Sequence, residues 1–515
     1  MAKYKPYSYQ QGQFIPVFFA KQIQRGTFEY TLNYLIDNEL DLSMFDGRFN
    51  NDETGDPAYD PRILLKIILF AYSRGITSSR QIAKSCEENV VFMALSANSR
   101  PHFTTIADFI SSMNKEVVRL FLEVLMVCDH QGLIGKEMFA IDGCKLPSNA
   151  SKEWSGTRED FKKKIEKMET AIGRMVDKHR DQDQVQSEGD DKTKENSYID
   201  KLKKNTAKIK KWLAENNDRK GSSGKVVKSN ITDNDSAKMQ TSKGVIQGYV
   251  GVAAVDQQSQ VIVQAEAYGQ GQEHDLLIPS IETIRDNFQA IGQSADVLRT
   301  AALTADSGYH SEKNMEYVFN EKLDGYIADP HFRQRDPRFA GAELYKELER
   351  KKSGKAASGK LFTTADFTFP EDFSYCICPA GKRLYRSGCN TTVKNYKAIK
   401  FKGPKTACLP CELRSRCLRK PEKTEIRQVA YFTGLSSKGT QRFTEKMKQK
   451  IDSVAGRAIY GMRLATGEPP FAHIRSIMRL DRFTLRGKNK VNTQWNLFCI
   501  VHNLKKIHRY GGCFA

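Results

Sequence analysis

The sequence patterns predict that three carboxylates, Asp142, Asp306 and Glu468, lie at one edge of a sheet. Asp142 and Asp306 end apolar runs that predict strands, and Glu468 lies in a run that predicts a helix packed across the sheet edge. Transfer of a phosphodiester needs an activated oxygen nucleophile and a stabilised leaving oxygen, and two divalent ions about 3.5 to 4 Å apart hold both. Because magnesium takes only one or two protein carboxylates, two ions need about three acidic side chains. The set therefore predicts magnesium-dependent phosphoryl transfer.

Each carboxylate also has a purely structural explanation. An Asp that precedes a Gly after a strand is commonly a turn former. Asp142 is followed directly by Gly143, and Asp306 is followed by Ser307 and Gly308. Glu468 is followed by two prolines, and this segment could be an ordinary helix break. Only a fold that brings the three side chains together distinguishes catalysis from these alternatives.

The elements that must position the carboxylates form a predicted α/β domain with a mixed sheet. Three consecutive strands, a helix, a fourth strand and another helix follow one another from Met138 onward. In chain order these elements are predicted over 138–146, 248–255, 261–268, 274–288, 297–305 and 312–321. Asp142 and Asp306 are then expected at the ends of the first and fourth strands.

Residues 1–135 predict a helical N-terminal DNA-binding domain. Asp60 and Pro61 supply a cap and a first-turn proline for a helix over 62–73, and Ser78 with Gln81 predicts a capping box for the next helix. Apolar residues at helical spacing predict a third helix over 106–121. The two short helices joined at 75–77 fit a helix-turn-helix, although most such pairs are plain helical packing.

Two segments interrupt the α/β domain, which we assign to 136–334 and 429–515. Residues 158–228 are charged and predict a helical hairpin with a polar tip over 181–196. A solvated coiled-coil spacer explains this hairpin best, and contact of its lysines with DNA is the alternative. Residues 335–428 form a cysteine-rich, partly β insertion with strand-like runs such as 362–369.

Four cysteines of the insertion, Cys378, Cys408, Cys411 and Cys417, offer thiolates for a tetrahedral zinc site. Cys408 and Cys411 have the spacing of a zinc knuckle, whereas the other half of the set is irregular. Cys376 and Cys389 are spare candidates for ligands. Four free thiols are the alternative to a structural zinc ion.

The chain carries 81 Lys and Arg against 61 Asp and Glu, a net charge of +20 that attracts polyanions. Nucleic acid is the first partner to consider, although a ribosome-associated or membrane-surface protein would have the same balance. After Glu468, basic residues alternate with aromatic ones, which suits a surface that follows phosphates or a terminal helix with an aromatic core. We expect both, with 495–504 packed inward and the basic residues facing DNA. These basic residues include Arg475, Arg479, Arg486 and Lys488.

The sequence contains no signal pattern and no apolar run long enough to span a bilayer. The longest apolar run, 63–72, is interrupted by Lys66. We therefore expect a cytoplasmic protein.

Several of these segments together resemble the three motifs of bacterial insertion-sequence transposases of the DDE type. The segments are 139–143 (Phe-Ala-Ile-Asp-Gly), 304–309 (Thr-Ala-Asp-Ser-Gly-Tyr) and the spaced set of Tyr460, Arg463, Glu468 and Arg475. The spaced set is similar to the Tyr-Arg-Glu-Lys signature of one large group of these enzymes. Further likeness lies in 59–62 with 75–80, and in 232–235 leading to 248–249. The resemblance spans nearly the whole chain.

The resemblance implies an RNase H-like catalytic domain in a bacterial, nucleoid-associated transposase with endonuclease and strand-transfer activity. Asp142, Asp306 and Glu468 would hold two Mg²⁺ ions, for which Mn²⁺ could substitute, and Tyr460, Arg463 and Arg475 would hold phosphates. The DNA partners would be the terminal inverted repeats of a transposon and a target, with the protein as a homodimer on DNA. A catalytically inactive DNA-binding descendant and an RNase H-like nuclease or resolvase are the alternatives.

This chain departs from the signature at two positions. Four residues separate Arg463 from Glu468, where the signature has three. Arg475 occupies the position of the usual lysine. Arg475 keeps the positive charge and binds phosphate well, but a guanidinium does not readily give up a proton.

Overall fold

The computed structural model describes residues 17–48, 57–183, 191–221, 224–242, 244–339, 341, 361–387, 391–393, 396–435 and 442–512. The chain forms two compact units. The first comprises the residues up to Ile327 together with those from Ala455 onward, and the second comprises Ala328–Val454.

The first unit begins with six helices. They are α1 (Phe28–Tyr34), α2 (Pro61–Ser73), α3 (Ser79–Glu88), α4 (Val90–Leu95), α5 (Phe103–Ser112) and α6 (Asn114–His130). The predicted start of α2 is confirmed, because Asp60 accepts a hydrogen bond from the Arg62 amide at 2.7 Å and Pro61 is the first helical residue. Gly75 follows α2 with a φ of +75°, a backbone conformation that glycine adopts without strain.

Two helical predictions for this region are wrong in detail. Ser78 does precede α3, but its side chain makes no capping hydrogen bond, so the predicted capping box is absent. The single helix predicted over 106–121 is two helices, because the backbone at Met113 leaves the helical region with a ψ of 44°. Apolar spacing continues across this break, since both helices bury residues of the same run.

Ten strands follow in the first unit. They are β1 (Met138–Pro147), β2 (Ser155–Gly156), β3 (Arg219–Lys220), β4 (Val226–Val227), β5 (Ser229–Asn230), β6 (Ala237–Thr241), β7 (Gly244–Asp256), β8 (Ile262–Tyr268), β9 (Ala302–Ala305) and β10 (Asp324–Ile327). Six of them form one mixed sheet in the order β10-β9-β1-β7-β6, in which β8 also pairs with β7. β1 is parallel to β9 and antiparallel to β7. The predicted α/β class with a mixed sheet is confirmed.

The sheet also corrects the sequence-based prediction. β1 agrees with the strand predicted over 138–146 to within one residue, but Asp142 lies inside it and not at its end, because residues beyond Gly143 keep pairing with β7. The strand predicted over 297–305 is a short helix, Val297–Thr300, followed by the four-residue β9. β6 and β10, which the sequence patterns did not indicate, extend the sheet at its edges.

Five further helices belong to this part of the chain. They are α7 (Arg158–Asp183), α8 (Asp191–Glu215), α9 (Leu277–Ala290), α10 (Val297–Thr300) and α11 (Glu312–Asn320). α7 and α8 pack together through Phe161, Ile165, Ile209 and Trp212, as the predicted hairpin requires. Much of its predicted polar tip, 184–190, lies outside the described residues.

The second unit contains a five-stranded antiparallel sheet. Its helices and strands are α12 (Phe332–Arg335), β11 (Tyr375–Ile377), β12 (Arg383–Arg386), β13 (Thr391–Val393), β14 (Tyr396–Lys402), α13 (Lys405–Cys408), α14 (Arg414–Cys417), β15 (Gln428–Leu435) and α15 (Phe443–Asp452). Phe367, Cys376, Leu384, Phe401 and Val429 form its core. The strand predicted over 362–369 is wrong, because Thr364–Asp366 is a 3-10 turn.

Two long helices close the chain, α16 (Val454–Ala472) and α17 (Lys488–Tyr510). α17 packs against the sheet on one side and the N-terminal helices on the other. On the sheet side, the Trp495 indole donates a hydrogen bond to the Val252 carbonyl at 3.0 Å and covers Gly251. On the helical side, Phe498 stacks on Tyr72 with ring centres 4.5 Å apart. The inward packing predicted for 495–504 is confirmed.

Among the described residues, no helix is both long enough and apolar enough to cross a membrane.

We expect Trp495→Phe to lower the free energy of unfolding by about 1–3 kcal/mol, because the buried Val252 carbonyl loses its donor. Urea denaturation followed by circular dichroism measures the change. Trp212→Phe is the matched control, since the buried Trp212 indole N–H has no acceptor among the described residues. Equal losses in the two variants would show that the hydrogen bond of Trp495 contributes nothing.

Candidate active site

Asp142 and Asp306 occupy the same level of two neighbouring parallel strands. Ile141 of β1 is opposite Ala305 of β9, so the two aspartates are the next residues along each strand. Because side chains alternate between the faces of a sheet and strands lie about 4.8 Å apart, both carboxylates project from the same face side by side. The structure thus brings together two of the three predicted catalytic residues.

The two aspartates sit in a partly buried, electrostatically strained environment. Burial raises the pKa of Asp142, and the nearby charge of Asp306 adds to this rise. The Arg463 guanidinium and the Gly143 amide act in the opposite direction. The Gly143 amide donates to Asp142 at 2.8 Å, and the Ser307 amide donates to Asp306 at 2.6 Å. The aspartates therefore repel each other and need nearby positive charge.

Arg463 of α16 supplies that positive charge. Its Nη1 lies 3.0 Å from Oδ2 of Asp142, and the residue is only 5% exposed. The guanidinium also lies over the ring of Tyr460, 5.6 Å from the ring centre. Its Nε has no hydrogen-bond acceptor among the described residues. Of the signature residues, Arg463 thus lies directly beside Asp142, and Tyr460 lies against Arg463.

Glu468 lies on the same helix, at the wall of the cavity that Asp142 also lines. One residue earlier, Gly467 faces the sheet, and a side-chain carbon there would lie 3.8 Å from Oδ2 of Asp142. Glu468 itself is exposed. α16 therefore brings Glu468 to the site, with its carboxylate on the open side of the cavity.

The donor set suits a hard divalent cation only in part. Among the described residues, no three carboxylate, imidazole or thiol side chains converge closely enough to hold a metal ion. Asp142 and Asp306 nevertheless offer adjacent oxygen ligands of the type that magnesium prefers. The chemistry of these two residues fits a cation, and Glu468 borders the same cavity.

The predicted DNA-binding residues fall into two groups. Arg475 and Arg479 are exposed and line the cavity of Asp142 and Glu468. Arg486 donates from Nε to the Asn149 carbonyl at 2.6 Å, and Lys488 pairs with Glu266 at 3.0 Å. The first pair thus borders the carboxylates, whereas the second pair holds the loop before α17.

The segment 232–235, part of the sequence resemblance, anchors the start of α17. Asp233 accepts hydrogen bonds from the Tyr249 hydroxyl at 2.7 Å and the Gly487 amide at 3.1 Å. Asp235 accepts from the Lys488 amide at 2.8 Å, which satisfies a free donor of the first helical turn. These contacts give the segment a structural role.

Glu273 and Lys145 are polar residues at this site that sequence reasoning missed. Glu273 carries a side chain that is 15% exposed, and Lys145 Nζ lies 3.8 Å from its Oε1. Glu273 precedes α9 and looks in sequence like an acid before a helix. Tyr309 belongs to the motif 304–309, and its fully buried hydroxyl has no partner among the described residues.

In the second unit, Cys378, Cys408, Cys411 and Cys417 line one pocket, and none of them forms a disulfide. Burial raises the pKa of Cys417, and the other three thiols add to the rise, whereas Arg427 opposes it. A side-chain carbon at Gly403 would overlap the sulfur of Cys408. The four thiols therefore share one environment, although their sulfur atoms do not converge to metal-binding distance among the described residues.

Of the two spare candidates, Cys376 does not line this pocket. Cys376 is fully buried in the core of the second unit. Cys389 lies outside the described residues.

Comparison with known proteins identifies two matched segments. The family described as "Transposase domain (DUF772)" matches residues 17–112, and the family described as "Transposase DDE domain" matches residues 377–508. A search of curated proteins gave no match. The second segment contains Tyr460, Arg463, Glu468 and the four clustered cysteines. Transposase domains thus match both the N-terminal helices and the segment with the signature residues, and the two matches support an insertion-sequence transposase of the DDE type.

Proposed function

We propose that this transposase binds the terminal inverted repeats of its element, cuts the DNA there and joins the ends to target DNA by two-metal phosphoryl transfer. The observation that carries the proposal is the placement of Asp142 and Asp306 at one level of adjacent strands, with the Arg463–Glu468 helix packed against them. Side-by-side carboxylates on one sheet face suit metal-assisted chemistry on a phosphodiester.

The sheet supports an RNase H-like assignment for the catalytic domain. Its strands lie in the order β8-β7-β1-β9-β10, with β8, β7 and β1 successively antiparallel. β9 and β10 run parallel to β1. We assign to this domain the part of 136–334 and 429–515 that lies in the first unit, namely 136–327 and 455–515. The hairpin 158–228 interrupts it once, and the second unit, which contains the cysteine-rich insertion 335–428, interrupts it again. Residues 1–135 form the helical domain that contacts DNA in this proposal.

Asp142, Asp306 and Glu468 would hold the divalent ions, which supply activation of the attacking oxygen and stabilisation of the leaving oxygen. Arg463 balances the charge of Asp142 and keeps the carboxylate side chain in place. Tyr460 lies beneath the guanidinium of Arg463. Arg475 and Arg479, exposed at the same cavity, bind the phosphates on either side of the cut.

The net charge of +20 supports DNA as the partner. Two transposon ends must be held together for joining, so the proposal includes a homodimer on DNA. The hairpin of α7 and α8 acts as a spacer, because its packed core of Phe161, Ile165, Ile209 and Trp212 leaves a charged outer surface.

We also propose that the four clustered cysteines hold a structural zinc ion. Their thiols line one pocket, and zinc favours four thiolates at tetrahedral positions. Metal binding would require small movements of the side chains and loss of the thiol protons. The ion would stabilise the small sheet of the second unit, whose core contains few residues.

The catalytic assignment predicts that Asp142→Asn, Asp306→Asn and Glu468→Gln each lower DNA cleavage and strand transfer by about a thousandfold, on the scale of removing a charge-stabilising group. The assay incubates the protein with magnesium and linear DNA that carries the terminal repeats bordering its own gene. Asp286→Asn, an exposed aspartate on α9, is the control and should retain full activity. Products identical to wild type from Asp306→Asn would reject the assignment.

Arg463→Gln should lower the thermal unfolding midpoint, because breaking a buried ion pair costs about 3–5 kcal/mol. Millimolar magnesium should recover more stability in this variant than in wild type, since the cation replaces the missing charge beside Asp142. Differential scanning calorimetry with and without magnesium measures both effects. Arg475→Gln, at an exposed position of the same cavity, should show the wild-type response. Equal magnesium shifts in all three proteins would contradict a cation beside Asp142.

The zinc proposal predicts about one zinc ion per purified chain by elemental analysis, and a substantial loss of zinc in Cys411→Ser. Cys86→Ala changes a buried cysteine of the first unit and should retain the metal. A zinc content well below one per chain in the wild-type protein would reject the proposal.

A further inference from the structure

A fourth carboxylate, Glu273, lies against the loop that carries Asp306. A side-chain carbon at Gly308 would overlap Oε2 of Glu273, so the glycine leaves room for this carboxylate. Burial raises the pKa of Glu273, and the charge of Lys145 opposes this effect. The charges of Asp142 and Asp306 both raise the pKa further. Glu273 therefore belongs to the same electrostatic environment as the two aspartates.

The segment of Glu273 is fastened to the Asp306 loop by one buried side chain. Asn314 of α11 donates from Nδ2 to the His274 carbonyl at 2.6 Å and to the Tyr309 carbonyl at 2.7 Å. Asn314 is 1% exposed. This double hydrogen bond fixes Glu273 relative to Asp306 without any contribution from α16.

The hydroxyl of Tyr309 points into the same group and has no hydrogen-bond partner in the part of the chain that the structure describes. It lies 3.3 Å from the position of a side-chain carbon at Gly143, immediately beside Asp142 on β1. Tyr309 is 0% exposed, and no hydrogen bond to its hydroxyl is formed among the described residues. A buried hydroxyl without a partner costs about 1–3 kcal/mol, which indicates that the site is complete only with something bound.

Glu273 also lacks the contacts that would make it a structural residue. Its nearest cation, Lys145 Nζ, lies 3.8 Å away, and no hydrogen bond to its carboxylate is formed among the described residues. Its side chain is only 15% exposed. A nearly buried carboxylate with one loose ion pair is costly to maintain unless a stronger positive charge approaches it.

We propose that Glu273 and the Tyr309 hydroxyl are positioning residues for the divalent cation of Asp142 and Asp306, and that they hydrogen-bond the water molecules bound to it. The inference rests on the proposed function. Magnesium keeps several of its waters in proteins, and carboxylates outside the inner ligand shell accept hydrogen bonds from such waters. Contact through water agrees with the absence of three converging ligands among the described residues.

The cation-binding residues come from two different parts of the first unit. Asp142, Asp306, Glu273 and Tyr309 all lie on or beside the sheet, whereas Glu468 arrives on α16 from the open side of the cavity. Cation affinity of the free protein is then set by the sheet residues. Glu468 adds little to this cation affinity before DNA is bound.

Manganese titration followed by electron paramagnetic resonance of free Mn²⁺ tests the proposal without relying on catalysis. Glu273→Gln should weaken Mn²⁺ binding by about tenfold, the lower end of the effect of such outer contacts. Glu116→Gln is the matched control, since Glu116 has a side chain that is 12% exposed and a single loose partner, Arg48 at 3.6 Å. This control should bind Mn²⁺ as wild type does.

Lys145→Gln separates cation binding from a structural ion pair. If Glu273 serves the cation, removal of the competing lysine charge should strengthen Mn²⁺ binding while Glu273→Gln weakens it. If Glu273 serves only Lys145, both variants should lose stability and keep wild-type Mn²⁺ affinity. The second result overturns the proposal for Glu273.

Tyr309→Phe removes only the unpartnered hydroxyl. We expect weaker Mn²⁺ binding than in wild type. If Tyr309→Phe binds Mn²⁺ like wild type and unfolds at a higher temperature, the Tyr309 hydroxyl is only an unsatisfied buried group. That result would overturn the assignment of Tyr309.

Asp142→Asn distinguishes failure of this inference from failure of the proposed function. It should abolish Mn²⁺ binding. If Asp142→Asn binds Mn²⁺ like wild type, the cation site of the proposed function is wrong, and the inference fails with it. If Asp142→Asn loses Mn²⁺ while Glu273→Gln and Glu116→Gln both match wild type, only the role of Glu273 is rejected.

Discussion

Repulsion between Asp142 and Asp306 is the constraint around which the first unit is organised. Two carboxylates about 5 Å apart at an effective dielectric constant of about 20 repel each other by roughly 3 kcal/mol. The parallel register of β1 and β9 fixes this proximity, so the cost cannot be relieved by sliding the strands. Positive charge must come from another element, and Arg463 on α16 provides it at 3.0 Å. The helix that supplies this charge also carries Glu468, so the ion pair of Arg463 and the third carboxylate come from one element.

Contacts on two sides hold α17 in the core of the first unit. Trp495 covers Gly251 of β7 so closely that a side-chain carbon at Gly251 would lie 3.1 Å from the indole, and Asp235 caps the first turn of the helix. Phe498 stacks on Tyr72 of α2 on the opposite side. The terminal helix thus connects the sheet to the N-terminal helices. Arg479 extends the same connection, since its side chain covers Gly75 and also lines the cavity of Asp142.

Local chemistry made part of the structure predictable from the sequence. The start of α2 follows from Asp60 and Pro61, and the α/β class follows from the alternation of apolar runs and helical spacing. The apolar residues predict the length of β1 almost correctly, but the glycine after Asp142 suggests a strand end at Asp142, whereas pairing with β7 continues to Pro147. Tertiary pairing overrode the local turn signal. The sequence predicts a strand in place of the short α10, because apolar residues such as Val297 and Leu298 are equally compatible with a buried helix and a buried strand.

The sequence predicts the site residues that lie in local motifs. It does not predict those that reach the site through contacts between segments far apart in the chain. Asp142, Asp306 and Arg463 carry local signals, and the structure brings them together. Glu273 lies beside them because Asn314 bridges two separate loops, and no local pattern encodes that bridge. The four cysteines are close in sequence and share a pocket, but their spacing alone does not determine how closely the sulfur atoms approach.

The position of α17 in the chain determines when the first unit can complete its core. About 220 residues separate Tyr268 at the end of β8 from Lys488 at the start of α17, since 488 − 268 = 220. At roughly 5–20 residues per second, a ribosome needs on the order of 11–44 s to make this stretch. During that interval the sheet face that Trp495 covers has no partner helix. The nascent chain thus presents an open apolar surface for tens of seconds, and it gains a complete core only after the last long helix has been made.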